Sequence, residues 1–160
     1  MAKSAATIHA IEELYRASYP RFARVARAML GDEEQARDAV QEGFARAIRA
    51  RSSYRGHGTL EAWVWRTVVN GCLEEGRRRL EWPLPEETTA DNGREEERPE
   101  LRAAVAALPE RQRLVLFLRH YADLDYESIA SALGVRRGTV AATLHAAHAT
   151  LRQVLTEVIR

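Results

Sequence analysis

Residues 125–140, Asp-Tyr-Glu-Ser-Ile-Ala-Ser-Ala-Leu-Gly-Val-Arg-Arg-Gly-Thr-Val, leave the backbone few choices. Asp125 can accept hydrogen bonds from the free N–H groups of a first helical turn, and Ile129, Ala130 and Leu133 then share one apolar face. Gly134 follows where a helix commonly ends in a left-handed residue, so a short helix is expected to stop there. The chain restarts after Val135: Thr139 lies near the new N-terminus, and Val140, Leu144, Ala147 and Leu151 recur at helical spacing down one side. Two helices joined this tightly form a helix-turn-helix, with Ala130 small where they approach. In DNA-binding versions the second helix enters the major groove, although the same pattern also serves as a plain packed hairpin.

At 160 residues with 46 % apolar side chains, the chain can build one large or two small cores. Its single cysteine, Cys72, excludes an internal disulfide and any thiolate cluster for zinc or iron–sulfur binding. The stretch Met1 to Ile8 lacks the apolar core of a signal peptide. No run approaches the roughly 20 apolar residues that a membrane span needs, so a cytoplasmic location without direct membrane insertion is expected.

The formal charge of +1 conceals a segregation: residues 1–79 carry +4, residues 80–100 carry −6 and residues 101–160 carry +3. The acidic stretch holds three of the five prolines and little periodicity, which predicts a flexible, solvated linker between two small helical domains. Basic lobes suit polyanions, and an acidic strap suits a surface or channel of opposite charge, unless it is a plain tether.

The N-terminal lobe is expected to form three or four helices. Ile11, Leu14, Tyr15 and Tyr19 make a stripe before Pro20, which Phe22, Val25, Ala26, Met29 and Leu30 continue to Gly31. A second helix starts at Asp32, with Ala36, Ala39, Val40, Phe44 and Ala47 inward and Asp38, Gln41, Glu42, Arg46 and Arg49 outward. The loop Ser52 to Thr59 then brings Tyr54, Arg55 and His57 together before a helix carrying Leu60, Trp63, Val64, Trp65, Val68 and Val69. Aromatics interleaved with arginines can hold unstacked bases, each stack contributing about 1–3 kcal/mol. Trp63 at this spacing is expected in the core, whereas Tyr54 on the loop and Trp65 on the flank are freer to act. Arg77 to Arg79 form a compact phosphate-binding candidate, and Gly71 and Gly76 are poor helix residues before it.

These segments together resemble the extracytoplasmic-function (ECF, group IV) sigma factors, small members of the sigma-70 family of bacterial RNA polymerase subunits, over about residues 8–156. The most specific parts are Asp38-Ala-Val-Gln-Glu-Gly-Phe-Ala-Arg-Ala47 and Tyr54-Arg-Gly-His-Gly-Thr-Leu-Glu-Ala-Trp-Val-Trp-Arg-Thr-Val-Val-Asn70. Ala107-Leu-Pro-Glu-Arg-Gln-Arg-Leu-Val-Leu116 ahead of Asp125-Tyr-Glu-Ser-Ile-Ala130 completes the order. The resemblance implies an all-α fold of two small helical domains joined by a flexible acidic linker. Residues 1–79 would be sigma region 2, which binds core polymerase and recognises and melts the minus-ten element. Residues 80–100 would thread toward the polymerase channels, and residues 101–160 would be region 4, which reads the minus-thirty-five element.

By the same resemblance Asp38, Gln41, Glu42, Phe44 and Arg46 are candidates for docking on core polymerase. Tyr54, Arg55, Gly56, His57, Trp65, Arg66, Asn70, Arg77 and Arg78 are candidates for minus-ten DNA, with the loop cradling a flipped base at a cost of a few kcal/mol. Arg136, Arg137, Gly138, Thr139, Thr143, His145 and His148 are candidates for minus-thirty-five DNA. Implied partners are core RNA polymerase, promoter DNA and an anti-sigma factor that holds the free lobes packed together, a state in which promoter duplex binds poorly. No catalytic residue, cofactor or small-molecule substrate is implied.

One segment departs from the family. Its members usually follow Gly-Thr-Val with Lys-Ser-Arg, whereas Gly138-Thr-Val140 runs into Ala141-Ala-Thr-Leu-His-Ala-Ala-His-Ala-Thr150. Each lost phosphate contact removes about 0.9 from the salt slope, and a lost arginine–guanine pair forfeits about 1–3 kcal/mol. Arg136 and Arg137, with His145 and His148 when protonated, can restore part of that charge. The departure also fits a sigma-like regulator with a degenerate recognition helix, acting through contacts with an anti-sigma factor or activator. A metal or enzyme reading rests on His9, His57, His120, His145, His148 and Cys72. Of these only His145 and His148 share a helical face, with no carboxylate at ligand spacing, so no metal is expected. Neither a nucleophile–base constellation nor a phosphate-cradling glycine motif is present.

Overall fold

A computed structural model describes residues 8–78 and 98–160. The elements are α1 (Ile8–Leu30), α2 (Glu33–Arg49), a short 3-10 turn (Arg51–Ser53), α3 (Leu60–Arg78), α4 (Pro99–Ala106), α5 (Glu110–His120), α6 (Tyr126–Leu133) and α7 (Arg137–Ile159). No strand occurs among the described residues, and the expected all-α class holds. The expected linker falls mostly on residues outside those described, but Pro99 and Glu100 at its end already belong to α4. Proline suits a first helical position because its missing N–H has no partner there in any case.

In the first lobe α1 runs through Pro20 as one helix, despite a cost of about 3 kcal/mol for an interior proline. The apolar stripe continues on both sides of Pro20: Ile11, Phe22, Val25, Ala26, Met29 and Leu30 are all buried against α2 and α3. Gly31 ends the helix with φ 71°, and Asp32 opens α2 by accepting a 2.9 Å hydrogen bond from the Gln35 N–H. An aromatic chain knits the three helices together. Phe22 stacks on Trp65 at 3.8 Å, Phe44 meets Phe22 edge-on at 4.9 Å, and Tyr15 meets Phe44 at 5.0 Å. Gly71 and Gly76 do not end α3, which reaches Arg78, because Val68, Val69 and Cys72 keep it pressed on the core.

The second lobe is built on the helix-turn-helix. Asp125 accepts a 2.7 Å hydrogen bond from the Ser128 N–H and so opens α6, and Gly134 closes it at φ 65°. Val140, Leu144, Ala147 and Leu151 of α7 line the core, as their spacing required. Arg113 is buried because its guanidinium donates to the Ala106 carbonyl at 2.7 Å, satisfying the end of α4; burial still pulls its pKa below the usual arginine value.

The two lobes pack on each other, and their buried residues form one continuous cluster. Helix α3 lies against α6, and the end of α5 meets α1. Arg21 of α1 donates to the Ala122 carbonyl after α5 at 2.9 Å, to Ser18 Oγ at 2.9 Å and to Glu61 of α3 at 2.7 Å.

Two glycines test this packing in opposite directions. A Cβ on Gly43 of α2 would sit 2.9 Å from the Val68 backbone, so Gly43→Ala must push α2 and α3 apart. The strain exceeds the helix-propensity gain of about 1 kcal/mol, and a net loss of about 1–3 kcal/mol is expected in denaturant titrations. Gly71 faces open space, so Gly71→Ala should raise the unfolding free energy in the same titration by up to about 1 kcal/mol.

Candidate polymerase and nucleic-acid interfaces

The outward face of α2 is a charged network. Glu42 accepts from Arg46 at 3.1 Å and from Arg49 at 2.9 Å, and Arg46 reaches across to Glu74 of α3 at 3.2 Å. The Arg46 and Arg49 hydrogen bonds hold the Glu42 carboxyl below its ordinary pKa, and the bonds to Glu74 and Glu42 raise that of Arg46. A hollow of about 230 Å³ is lined by Gln35, Asp38, Glu42, Arg46, Gly71 and Glu74 among others. Asp38 and Gln41 are exposed on the same helix. Phe44 is not on this face: it is 4 % exposed and wedged between Tyr15 and Phe22. Its position one turn from Val40 and Ala47 carries it inward with the rest of the apolar stripe.

The loop before α3 is closed on itself. Tyr54 donates its hydroxyl hydrogen to the Gly58 carbonyl at 2.7 Å, and Gly56 and Gly58 take φ of 76° and 72°. Thr59 Oγ1 accepts from the Ala62 N–H at 3.1 Å and so caps α3. Arg55, Gly56 and His57 project as an exposed rim. The two tryptophans exchange the places expected for them. Trp65 is fully buried, stacked on Phe22 with its indole N–H toward Glu61 at 3.4 Å, and is no surface platform. Trp63 is half-buried, 5.5 Å from the Tyr54 ring, and forms the aromatic edge of the loop. Trp65 shares its face with Val68, Val69 and Cys72, and that face turns to α1.

Arg66, Asn70 and Arg77 are exposed along α3. Arg78 ends the helix, and Arg79 lies outside the described residues. Arg66 packs on the turn of the other lobe, with a guanidinium nitrogen 3.2 Å from where a Gly134 Cβ would stand. A Cβ on Gly58 would come within 2.5 Å of Ser131 Oγ, so α6 sits directly on the loop.

At the start of α7, Arg136, Arg137, Gly138 and Thr139 are exposed together. Arg137 lies 5.6 Å from the Tyr126 ring centre and 4.0 Å from Glu127, which partly occupies its charge. Thr143 returns its hydroxyl hydrogen to the Thr139 carbonyl at 2.7 Å, and His145 is exposed. His148 turns away from that group and meets His120 at 3.2 Å. No sequence pattern signals this pairing, which needs α5 and α7 to be docked, and the same holds for Ser131 against the loop. Cys72 is buried, which pushes its thiol up to about 12 and leaves it inert at neutral pH. Among the described residues no three His, Cys, Asp or Glu side chains gather as a metal cluster, and no helix is long and apolar enough to cross a membrane.

Residues 14–81 match the family described as sigma-70 region 2, and residues 98–151 match sigma-70, region 4. The ECF RNA polymerase sigma factor SigE of Mycolicibacterium smegmatis is 32 % identical over 160 residues, covering 90 % of this chain and 61 % of that protein. The RNA polymerase sigma-E factor of Streptomyces coelicolor is 31 % identical, covering 90 % of this chain and 85 % of its own length. Among solved structures, CnrH in complex with the cytosolic domain of CnrY superimposes with a TM-score of 0.71 at 19 % identity, over 95 % of this chain and 91 % of that one. The sigma factor RpoE in complex with the anti-sigma factor NepR from Bartonella quintana gives 0.73 at 18 % identity, over 91 % and 96 %. With both regions matched in their expected order, the chain belongs to the extracytoplasmic-function sigma factors of the sigma-70 family.

Proposed function

We propose that this protein is an alternative sigma factor that binds core RNA polymerase in the cytoplasm and directs it to promoters. The reading rests on one observation above others: the charged α2 face and the Tyr54–Gly58 loop are held by one three-helix core. A protein that docks on polymerase and captures a base must keep those two sites at fixed separation. In this reading Asp38, Gln41, Glu42 and Arg46 contact the polymerase. The loop rim with Tyr54, Arg55, Gly56 and His57 takes the flipped base, joined along α3 by Arg66, Asn70, Arg77 and Arg78. Bond making belongs to the polymerase.

The packed lobes are a resting state in this account. The minus-ten and minus-thirty-five elements are centred 25 base pairs apart by definition, or about 85 Å along B-form DNA at about 3.4 Å per step. Here α6 rests on the minus-ten loop, and Arg66 rests on the turn before the recognition helix. One promoter cannot engage both surfaces until the lobes part. Residues 79–97 supply 19 residues of chain between the described lobes, enough to span up to about 65 Å, and the lobes themselves cover the rest. By likeness to CnrH with CnrY and RpoE with NepR, an anti-sigma factor is the natural partner of the packed state.

A second reading, a sigma-like regulator acting through protein contacts, is favoured by the recognition helix. Between Arg137 and Arg152 it carries no lysine or arginine.

Two variants separate these steps. Tyr54→Ala should leave core-polymerase affinity within about twofold and reduce promoter opening, read by permanganate reactivity of minus-ten thymines, at least about fivefold. The removed stacking of about 1–3 kcal/mol corresponds to roughly 5- to 150-fold. Equal loss of both activities would make Tyr54 a folding residue. Ser131→Leu wedges α6 off Gly58, so the free protein should bind a single-stranded minus-ten oligonucleotide more tightly than wild type. Unchanged affinity, with the fold intact by circular dichroism, would contradict occlusion by α6.

A further inference from the structure

Between the two lobes lies a groove of about 1000 Å³. Helix α1 lines it with Arg24 and Arg27, the start of α2 with Glu33 and Arg37, and the end of α5 with His120 and the adjoining Tyr121. Three guanidiniums therefore share the groove with one carboxylate. Arginines elsewhere on the first lobe are matched: Arg46 and Arg49 pair with Glu42, and Arg21 pairs with Glu61. The side chains of Arg24, Arg27 and Arg37 have no hydrogen bond or ion pair among the described residues, although Glu33 stands four positions before Arg37 on α2, a spacing that commonly pairs. Cations gathered in this way repel one another, and an anion placed between them relieves that repulsion.

We propose that this groove binds an oligophosphate anion, gripped by Arg24, Arg27 and Arg37 of the first lobe and enclosed by His120 and Tyr121 of the second. Arg24 and Arg27 are one turn apart on α1, with Cβ atoms about 5–6 Å from each other, so their forks can hold neighbouring groups of one ligand. Arg27 is half-buried, which screens its charge less than that of the exposed Arg24 and Arg37. A guanidinium fork matches phosphate with two parallel hydrogen bonds, and linked phosphates concentrate more charge than the carboxylates of a peptide, which suits three guanidiniums in one groove. Tyr121 is a large side chain left 43 % exposed, and its ring offers a flat apolar surface beside the arginines. A free oligophosphate and a nucleoside triphosphate share the phosphate chemistry and differ in whether a base reaches that ring.

Both lobes supply walls, so the groove exists only while they are packed, and an occupant stabilises the packed arrangement by mass action. Under the function proposed above, on which this consequence rests, such an anion holds the minus-ten loop beneath α6 and keeps the protein from promoters.

The test is isothermal titration of the full-length protein with inorganic tripolyphosphate and with ATP, without divalent metal, at about 0.1 M ionic strength, where charges beyond about 10 Å are screened. Saturable binding of one tripolyphosphate per chain is expected. Arg24→Gln/Arg37→Gln alters two exposed side chains and should weaken binding at least about tenfold. Arg16→Gln, exposed on the same helix but outside the groove, should leave it within about twofold. Ser131→Leu, which wedges the lobes apart, should raise the dissociation constant at least about threefold with the fold intact by circular dichroism. Tighter binding of ATP than of tripolyphosphate upholds the site and assigns it to nucleotides; equal or weaker binding upholds it and assigns it to the inorganic anion. Absence of saturable binding by wild type overturns the proposal. So does binding that is unchanged in Arg24→Gln/Arg37→Gln or in Ser131→Leu, or that falls as far in Arg16→Gln. Equal affinity for a hexaglutamate peptide overturns the choice of phosphate. Polymerase and promoter enter none of these readouts, so their outcome is separate from that of the proposed function.

Discussion

The Arg21 guanidinium is where the two lobes become one body. It holds its own helix through Ser18, the third helix through Glu61 and the other lobe through the Ala122 carbonyl. A planar fork of donors can satisfy three acceptors in three directions, and charge-assisted bonds of this type are about twice as strong as neutral ones. Beside it Gly58 lies close under Ser131, and Gly134 close under the Arg66 guanidinium.

Much of the architecture was legible in the residues because its signals are local. The Asp32 and Asp125 caps, the Gly31 and Gly134 stops and the α7 stripe all follow from hydrogen-bond needs within one turn. Pro20, Gly71 and Gly76 are local signals against a helix, and continuous apolar packing on both sides carries α1 and α3 through them. The tryptophans failed for a related reason. Trp63 and Trp65 are two residues apart, so they occupy different faces, but only the direction of α1 decides which face is inward. Phe44 was placed correctly by its spacing and wrongly by analogy, since proximity in sequence to exposed contacts says nothing of side-chain direction. The His120–His148 and Gly58–Ser131 meetings are tertiary and left no trace in any window of sequence.

The recognition helix is where sequence and structure pull hardest on the account. Its apolar face is complete, so it folds and packs as a helix-turn-helix should. Its outer face offers Arg136 and Arg137 at one end, then threonine, alanine and histidine. Arg137 is partly engaged with Tyr126 and Glu127, and His148 with His120. Under the function proposed, minus-thirty-five affinity is concentrated at the turn, and the α2 face and the Tyr54–Gly58 loop supply most of the hold on polymerase and promoter.

Run-off transcription tests that account most directly. Core polymerase would be supplied with this protein, or with the Arg136→Ala/Arg137→Ala double variant, on a pool of promoters from the source genome. The account predicts discrete transcripts that require the protein and are lost or strongly reduced with the double variant. No transcripts despite measurable binding to core polymerase would contradict it, and would assign the protein to the regulators that act through protein contacts.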